Sequence, residues 1–211
     1  MTLTLYGAYM CPSTARIQVV LHEKSIPYKL VNTDEESFRH PIPEASSLFG
    51  NCIPFIIDKG FILHESRAIC RYLATQYADQ GTKLIPDVYS IKCCALFEQA
   101  VLCEALNFDP YASKAGYENV IKRSKGLLPD EAIFEASIAG LSSKLDAYES
   151  ILGEQRYLAG NALTLADLYH IPWGTLLTRG GSDIMTRKGP NITRWWNEIS
   201  TRDSSKGTVL N

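Results

Sequence analysis

The chain has 211 residues, of which 45% are hydrophobic, and its formal net charge is −2 at pH 7. This length allows one large or two modest domains, each with a hydrophobic core. A net charge so close to zero does not indicate a general nucleic-acid or membrane-surface binder. No apolar run approaches the ~20 residues of a membrane span, and the start of the chain lacks the pattern of a signal peptide. We therefore expect a cytoplasmic protein.

The sequence contains six cysteines and four histidines, and neither set has the spacing of a metal site. The residues are Cys11, Cys52, Cys70, Cys93, Cys94, Cys103, His22, His40, His64 and His170. No two of the cysteines form a C-x-x-C pair. This pattern favours a reducing compartment with free thiols, and it predicts that the protein binds no metal.

The first predicted elements are a strand and a helix joined by a short turn. Leu3–Gly7 alternates apolar and other residues and ends in glycine, which predicts a strand. Apolar residues within Ile17–Leu21 recur at helical spacing. Pro12 suits the first turn of a helix, because backbone N–H groups in that turn have no hydrogen-bond acceptor within the helix. Cys11 therefore lies at a helix start, where unpaired N–H groups and the helix dipole stabilise a thiolate.

The same stretch also allows a purely structural interpretation. Cys11 would then be a small hydrophobic residue, and Ser13 and Thr14 would cap the helix. The thiolate that the helix start stabilises can belong either to Cys11 or to a bound thiol. These residues alone leave the chemistry open.

A second strand completes a β-α-β unit. Ser25–Pro27 interrupts the first helix, and Tyr28–Val31 has the composition of a strand. A strand, a helix and another strand in succession imply a parallel pair with a right-handed crossover. Asn32–Phe49 is polar and contains two prolines, which predicts a loop with a short helical turn.

A hairpin and a helix follow this loop. Ile53–Ile57 and Phe61–Leu63 flank a turn that contains glycine, and they predict two antiparallel strands. A helical pattern begins at Glu65 and continues through Leu73. The order β-α-β, loop, β-β-α is the thioredoxin-like arrangement.

Helical patterns dominate after a polar segment at residues 78–90. The predicted helices are Ile91–Leu106, Pro129–Leu152, Leu165–Leu177 and Ile192–Ile199. The end of the chain, Ser204–Asn211, is polar and is expected to fray. We therefore predict a thioredoxin-like domain at residues 1–77, a linker at 78–90 and an all-helical domain at 91–211.

Two features of the predicted helical domain indicate folding roles. Thr164 and Asp167 have the spacing of a capping box, with Asp in place of the usual Glu. His170 is expected to be a hydrogen-bonded helix residue, and Trp195 and Trp196 are expected to pack in the core.

Several short segments together resemble the cytosolic glutathione transferases, and the phi class in particular. They are Leu21–Lys24, Ile53–Pro54, Glu65–Ile69, Gln80–Thr82, Tyr157–Gly160, Leu163–Leu168 and His170–Pro172. Each segment is a weak signal alone, but the combination is highly specific. The resemblance implies a glutathione-binding thioredoxin-like domain, a helical domain that contributes a hydrophobic substrate pocket, and glutathione as co-substrate.

The resemblance also implies which residues hold glutathione. A cis Ile53–Pro54 bond would leave the Ile53 N–H and C=O free to pair with the cysteinyl part, whereas the alternative is an edge-strand proline without a ligand. Glu65 and Ser66 open a helix and would hold the γ-glutamyl end, although Ser66 could equally be a plain helix cap.

Three further candidates lie in the preceding loop. Arg39 and His40 are near the positions where family members place basic side chains on the glycyl carboxylate, and a solvated surface pair is the alternative. Cys52 occupies a position that often carries a polar side chain in contact with glutathione.

Cys11 departs from the phi pattern. Counted back from Leu21–Lys24, it stands where phi members have a serine that hydrogen-bonds the glutathione sulfur. A cysteine followed by proline instead resembles the omega and lambda classes, in which the protein thiolate forms a mixed disulfide with glutathione. A dithiol cycle is excluded at this motif, because the position that would carry the second cysteine holds Thr14. Ser13 and Thr14 remain candidates for the role of the serine.

These residues lead to one prediction and two alternatives. We predict glutathione-dependent thiol transfer or deglutathionylation through Cys11. The first alternative is conjugation of glutathione to hydrophobic electrophiles, with Cys11 or Ser13 polarising the bound thiol. The second is a non-catalytic carrier of hydrophobic ligands. The expected partners are glutathione and a hydrophobic small molecule or glutathione adduct, with no nucleic acid and no membrane, and the resemblance implies a homodimer.

Overall fold

The computed structural model describes residues 2–34 and 53–210. Its contacts divide the chain into two compact units. Met1–Lys83 and Lys206–Asn211 form the first, which we call the thioredoxin-like unit, and Leu84–Ser205 forms the second, the helical unit. No helix in the described ranges is long and apolar enough to cross a membrane.

The thioredoxin-like unit is built on a four-stranded sheet with the order β2-β1-β3-β4. The strands are β1 (Leu3–Gly7), β2 (Tyr28–Asn32), β3 (Phe55–Asp58) and β4 (Phe61–His64). β1 pairs in parallel with β2 and antiparallel with β3, and β3 pairs antiparallel with β4. This mixed sheet is the predicted thioredoxin-like arrangement. The Ile53–Pro54 peptide bond, just before β3, is cis.

Among the described residues, two helices accompany the sheet, α1 (Pro12–Glu23) between β1 and β2 and α2 (Ser66–Gln76) after β4. The sequence predicted one apolar face on α1, but every residue from Thr14 to Leu21 is buried. The helix packs against α2 and is buried along this stretch, so its polar side chains must also find partners inside the fold. Arg16 and Gln18 do so through hydrogen bonds to Ser66 and Tyr28.

The segment before the helical unit is fixed to the end of α1. The buried Lys24 ammonium donates to the carbonyl oxygens of Ala78 and Thr82, at 3.4 and 3.1 Å. The Thr82 hydroxyl donates to the Glu23 carboxylate at 2.6 Å. Gly81 has a φ of +62° and passes so close to the Glu23 carbonyl that a side chain would collide with it.

The helical unit contains seven α-helices among the described residues. They are α3 (Ile91–Cys103), α4 (Asp109–Gly116), α5 (Glu131–Glu154), α6 (Leu165–Leu168), α7 (Ile171–Arg179), α8 (Ile184–Arg187) and α9 (Pro190–Ser200). The sequence predicted that the first helix of the helical domain spans Ile91–Leu106. In the structure, helical backbone continues to Lys122 through π-helical turns at Glu104–Phe108 and Tyr117–Lys122. Pro110 lies in the first turn of α4, where a missing N–H is tolerated, so it does not end the helical segment.

Asp167 is a buried carboxylate of the helical unit that accepts four hydrogen bonds. Its Oδ2 accepts from the Thr164 backbone N–H at 2.9 Å and from the Thr164 hydroxyl at 3.1 Å. Its Oδ1 accepts from the Leu158 N–H at 2.9 Å and from the Trp195 indole at 3.0 Å. The residues predicted as a capping box therefore fix the start of α6 and also connect it to α9.

His170 and the two tryptophans have the structural roles that the sequence predicted. His170 is buried, with Nδ1 at 2.8 Å from the Ala166 carbonyl and Nε2 at 3.1 Å from the Tyr148 hydroxyl. Trp195 and Trp196 are buried in the core.

The C-terminal segment contradicts the expectation that it frays. Thr208, Val209 and Leu210 are buried in the thioredoxin-like unit, and we call these three residues the C-terminal tail. The Val209 N–H donates to the Gln18 side chain at 2.8 Å. Two apolar side chains and this buried hydrogen bond hold a segment whose other residues are mostly polar. Asn211 lies outside the described residues.

Candidate functional site

Sheet topology brings the predicted site residues to one edge. β1 ends at Gly7 and leads to Cys11, while the antiparallel β3 begins next to that end because Phe55 pairs with Tyr6. β4 runs antiparallel to β3 and ends beside its start, so the chain leaves β4 towards Ser66 at the same edge. The segments containing Cys11, Ile53–Pro54 and Glu65–Ser66 therefore lie together, although they are far apart in sequence.

Cys11 occupies the N-cap position of α1. Its backbone is extended, with φ −93° and ψ 112°, and its side chain makes no capping hydrogen bond. The thiol is half-buried and not in a disulfide. Pro12 follows in the first turn, and the Ala15 N–H donates to the Cys11 carbonyl at 3.0 Å, which begins the helical hydrogen-bond ladder. The thiol thus lies at the positive end of a buried helix.

Ser13 and Thr14, the two hydroxyl residues after Pro12, have different environments. Ser13 is half-buried in the first turn of α1. Thr14 is fully buried, and its Oγ1 accepts from the Ala8 N–H at 3.2 Å. Its side chain also packs against Gly7, where a Cβ would collide with it. Thr14 therefore fixes the turn, and Ser13 is the more accessible hydroxyl of the pair.

The start of α2 combines an unusual backbone with a buried cation. Glu65 is exposed, has a φ of +68° and makes no side-chain capping hydrogen bond. Non-glycine residues rarely adopt this region, and such strain is concentrated at functional sites. Ser66 is buried, and its Oγ accepts from the Arg16 guanidinium at 2.9 Å. Because Arg16 donates, the Ser66 hydroxyl keeps its own hydrogen for another acceptor.

The sequence reasoning missed Arg16. The only signal was a charged residue next to the apolar positions of a predicted buried helix. Arg16 is 2% exposed, and its guanidinium reaches from α1 to the start of α2. It adds a fixed positive charge to a helix start that already favours anions.

Three sequence candidates, Arg39, His40 and Cys52, lie outside the described residues. Among the residues that are described, no group of His, Cys, Asp and Glu side chains could hold a metal ion.

The helical unit contains apolar pockets of its own. A groove of about 350 Å³ between α3 and α5 is lined by Ala100, Cys103, Tyr148 and Leu158 together with several polar residues. A more open depression of about 590 Å³ lies elsewhere in the same unit, around Trp173. Concave surfaces of this size and character accommodate small hydrophobic molecules.

Comparison with protein families agrees with this geometry. A family model described as the glutathione S-transferase N-terminal domain matches residues 5–81, and one described as the C-terminal domain matches residues 110–203. The chain belongs to the glutathione transferase family. The predicted family and fold are thereby confirmed.

Individual glutathione transferases match nearly the whole chain. Glutathione S-transferase hmp2 of Hypomyces subiculosus is 40% identical over 207 residues, which cover 97% of this chain and 96% of that protein. Glutathione transferase F7 of Populus trichocarpa has a TM-score of 0.87 at 31% identity, covering 97% and 96% of the two chains. Maize glutathione S-transferase I in complex with an atrazine glutathione conjugate has a TM-score of 0.85 at 25% identity, covering 97% and 94%.

This glutathione transferase is phi-class-like, as its plant relatives indicate. It is an enzyme, and glutathione is its co-substrate. What family membership leaves open is the group that meets the glutathione sulfur, for which the sequence candidates are Cys11 and Ser13.

Proposed function

We propose that this glutathione transferase catalyses glutathione-dependent thiol transfer through Cys11. The observation that supports it is a disulfide-free thiol at the N-cap of α1 with no capping hydrogen bond. A helix start favours the thiolate, which is the form that attacks a disulfide. A serine at this position could polarise a bound thiol but could not form a mixed disulfide.

The proposed glutathione site uses the other segments at the same sheet edge. The Ile53 backbone would pair with the cysteinyl part, and the start of α2 would hold the γ-glutamyl carboxylate. Ser66 suits this role because its hydrogen is left to donate while Arg16 donates to its oxygen. Glu65 is exposed beside it and could bind the γ-glutamyl amino group. Arg39, His40 and Cys52 remain predicted contacts.

The proposed reaction has two disulfide exchanges. The Cys11 thiolate attacks the glutathionyl sulfur of a mixed disulfide, the S–S bond breaks, and the substrate leaves as a thiolate that water protonates. A second glutathione, as thiolate, then attacks the glutathionyl sulfur of the Cys11–glutathione disulfide, and the bond between the two sulfurs of that disulfide breaks. This step releases oxidised glutathione and regenerates the Cys11 thiolate, so glutathione supplies both electrons.

Conjugation of glutathione to an electrophile is the second candidate. It is supported by the maize relative, whose structure contains a glutathione conjugate of atrazine, and by the apolar pockets of the helical unit. Cys11 or Ser13 would then polarise the thiol of bound glutathione. The helical domain, predicted at residues 91–211, would contribute the hydrophobic pocket, and residues 1–77 would bind glutathione.

The two candidates are separated by replacing Cys11 with Ser and Ser13 with Ala. Cys11→Ser should abolish thiol transfer to a glutathionylated peptide but retain or raise conjugation to chlorodinitrobenzene, because a hydroxyl can still donate to the bound thiolate. Ser13→Ala should cost about 1 kcal/mol of stability at most and leave thiol transfer unchanged. Replacement of the exposed Cys93 by Ser is the matched control.

Mass spectrometry after incubation with oxidised glutathione identifies the reacting residue. The proposal requires the glutathione adduct on the peptide that contains Cys11. An adduct on another cysteine, together with loss of activity in Ser13→Ala, would instead establish conjugation through Ser13. Binding of hydrophobic ligands with neither activity would indicate a carrier.

We also propose a homodimer without nucleic-acid or membrane partners, located in the cytoplasm. The exposed apolar side chains Ile91, Leu96 and Leu102 on α3 support self-association, and the free thiols support a reducing compartment. Light scattering at micromolar protein should give twice the chain mass. A monomer mass would exclude the dimer.

A further inference from the structure

The turn before Cys11 is held through three successive backbone amides. The Ala8 N–H donates to the Thr14 hydroxyl at 3.2 Å, and the Tyr9 N–H donates to the Asp34 carboxylate at 3.0 Å. The Met10 N–H donates to the Val209 carbonyl at 3.3 Å. The three acceptors come from α1, from the segment just after β2 and from the C-terminal tail. We call residues 8–11 the Cys11 loop.

The third of these acceptors is itself fixed to α1. The Val209 N–H donates to Gln18 Oε1 at 2.8 Å, and Gln18 Nε2 donates to the Tyr28 hydroxyl at 2.9 Å. Gln18 is 3% exposed, and Val209 is buried as well. Both backbone groups of Val209 are therefore used, one by the helix that carries Cys11 and one by the loop that precedes it.

Within the Cys11 loop, Met10 has the backbone conformation that depends most on stabilising contacts from other segments. Its φ of +56° lies in the left-handed region, which a side chain with a Cβ disfavours. Such a conformation persists only where the surrounding structure fixes it. The amide of Met10 is the group that the tail holds, and Met10 directly precedes Cys11.

We propose that Val209 and Gln18 are positioning residues for Cys11. The Val209 carbonyl keeps Met10 in its left-handed conformation, Gln18 keeps Val209 in place, and together they hold the Cys11 thiol at the start of α1. This inference rests on the proposed role of Cys11. It adds that the C-terminal tail, in which Val209 is 191 positions from Gln18 in sequence, sets the reactivity of the thiol.

The test is site-resolved alkylation of intact and truncated protein with iodoacetamide. Ending the chain at Gly207 removes the tail, and Cys11 alkylation should slow about fivefold at neutral pH because the thiolate leaves the field of the helix start. The dependence of this rate on pH should change as well. Cys93 is exposed in the other unit and should react at the same rate in both proteins. Cys70 is fully buried in the thioredoxin-like unit and should stay unlabelled unless that unit opens.

Point variants test the same link without shortening the chain. Gln18→Leu removes the acceptor for Val209 and should slow Cys11 alkylation nearly as much as the truncation. Gln18→Glu restores an acceptor oxygen and should recover most of the rate. Leu210→Ala is the matched control, because it trims a buried tail side chain but leaves the backbone groups of Val209 intact; the rate should stay within about twofold of the parent.

Turnover gives a second readout. In Gln18→Leu, kcat for thiol transfer should fall with the alkylation rate while KM for the glutathionylated peptide stays nearly constant, because the variant does not alter Ile53 or Ser66. A merely structural role of Gln18 would lower active-site concentration without changing the pH dependence of alkylation.

The outcomes separate this inference from the proposed function. Unchanged Cys11 alkylation in both the truncated protein and Gln18→Leu, with Cys70 still protected, would overturn the positioning role. A parent protein that forms no glutathione adduct at Cys11 would overturn the proposed function, whereas the alkylation result would still decide the positioning role. If truncation exposes Cys70, the comparison of Gln18→Leu with Gln18→Glu decides.

Discussion

Three helix starts in the helical unit differ from the two described in the thioredoxin-like unit. In the helical unit, the starts of α5, α6 and α9 are each filled by a carboxylate of this chain. A backbone N–H donates to Asp130 at the start of α5 at 3.1 Å, to Asp167 at the start of α6 at 2.9 Å, and to Glu149 at the start of α9 at 2.9 Å. In the described part of the thioredoxin-like unit, the N-cap residues of α1 and α2 are Cys11 and Glu65, and neither side chain makes a capping hydrogen bond.

This difference separates folding from function. A carboxylate at a helix start satisfies unpaired N–H groups and interacts with the dipole, which stabilises a helix by about 1 kcal/mol. α1 and α2 forgo this contribution from their N-cap side chains. Under the proposed function, the start of α1 instead stabilises the Cys11 thiolate, and the start of α2 holds the γ-glutamyl carboxylate of glutathione.

The largest effect is expected in the helical unit, from Asp167→Ala. Asp167 is completely buried and accepts four hydrogen bonds, so its removal leaves buried N–H groups of Leu158, Thr164 and Trp195 without their acceptor. We expect a loss of about 3–5 kcal/mol in the free energy of unfolding, measured with urea. Asp130→Ala is the control, since that cap faces solvent and should cost about 1 kcal/mol. Equal losses in both variants would contradict this interpretation.

The intermediate effect belongs to the thioredoxin-like unit, at Ser66. Ser66→Ala should weaken glutathione binding by about 1–2 kcal/mol, the usual contribution of a hydrogen bond to a charged group. Calorimetric titration measures the affinity, and urea unfolding should also show a loss of stability, because the buried Arg16 guanidinium loses an acceptor. Asp130→Ala should lower stability and leave the affinity unchanged, so the change in affinity is the readout specific to Ser66. If Ser66→Ala binds glutathione as the parent does, α2 does not hold the carboxylate.

The smallest effect is a pH dependence that the two units share. Burial, followed by the hydrogen bond to Asp58, raises the pKa of Tyr77 to about 12, and burial with Glu198 raises that of Tyr157 to about 12 as well. A raised pKa means that the folded state favours the neutral phenol. Its contribution to stability is therefore complete below pH 10, the ordinary pKa of tyrosine, and is lost as pH rises towards 12.

Replacing these tyrosines one at a time tests the assignment. Tyr77→Phe and Tyr157→Phe should each flatten the fall of the unfolding free energy between about pH 10 and pH 12, because one titrating group is removed. Tyr89→Phe is the control, since Tyr89 is 91% exposed. A fall of the same steepness in all three variants would show that other groups dominate the alkaline transition.

Local sequence signals determined much of this fold. Alternating apolar residues identified β1 and the hairpin of β3 and β4, and Thr164 with Asp167 identified the start of α6. These features depend on residues within a few positions of one another, so the pattern carries the information. The order of the elements then implied the thioredoxin-like arrangement, and several weak motifs together indicated the family.

Long-range contacts were beyond the sequence patterns. Three features depend on segments that are remote from one another in the chain. They are the burial of α1 on all sides, the hydrogen bond from Arg16 to Ser66 and the position of the C-terminal tail. Arg16, Gln18 and Val209 have no local signature, because a buried polar group is stabilised by whichever distant partner the fold brings to it. The sequence placed Cys11 at a helix start, and tertiary structure decided which groups hold it there.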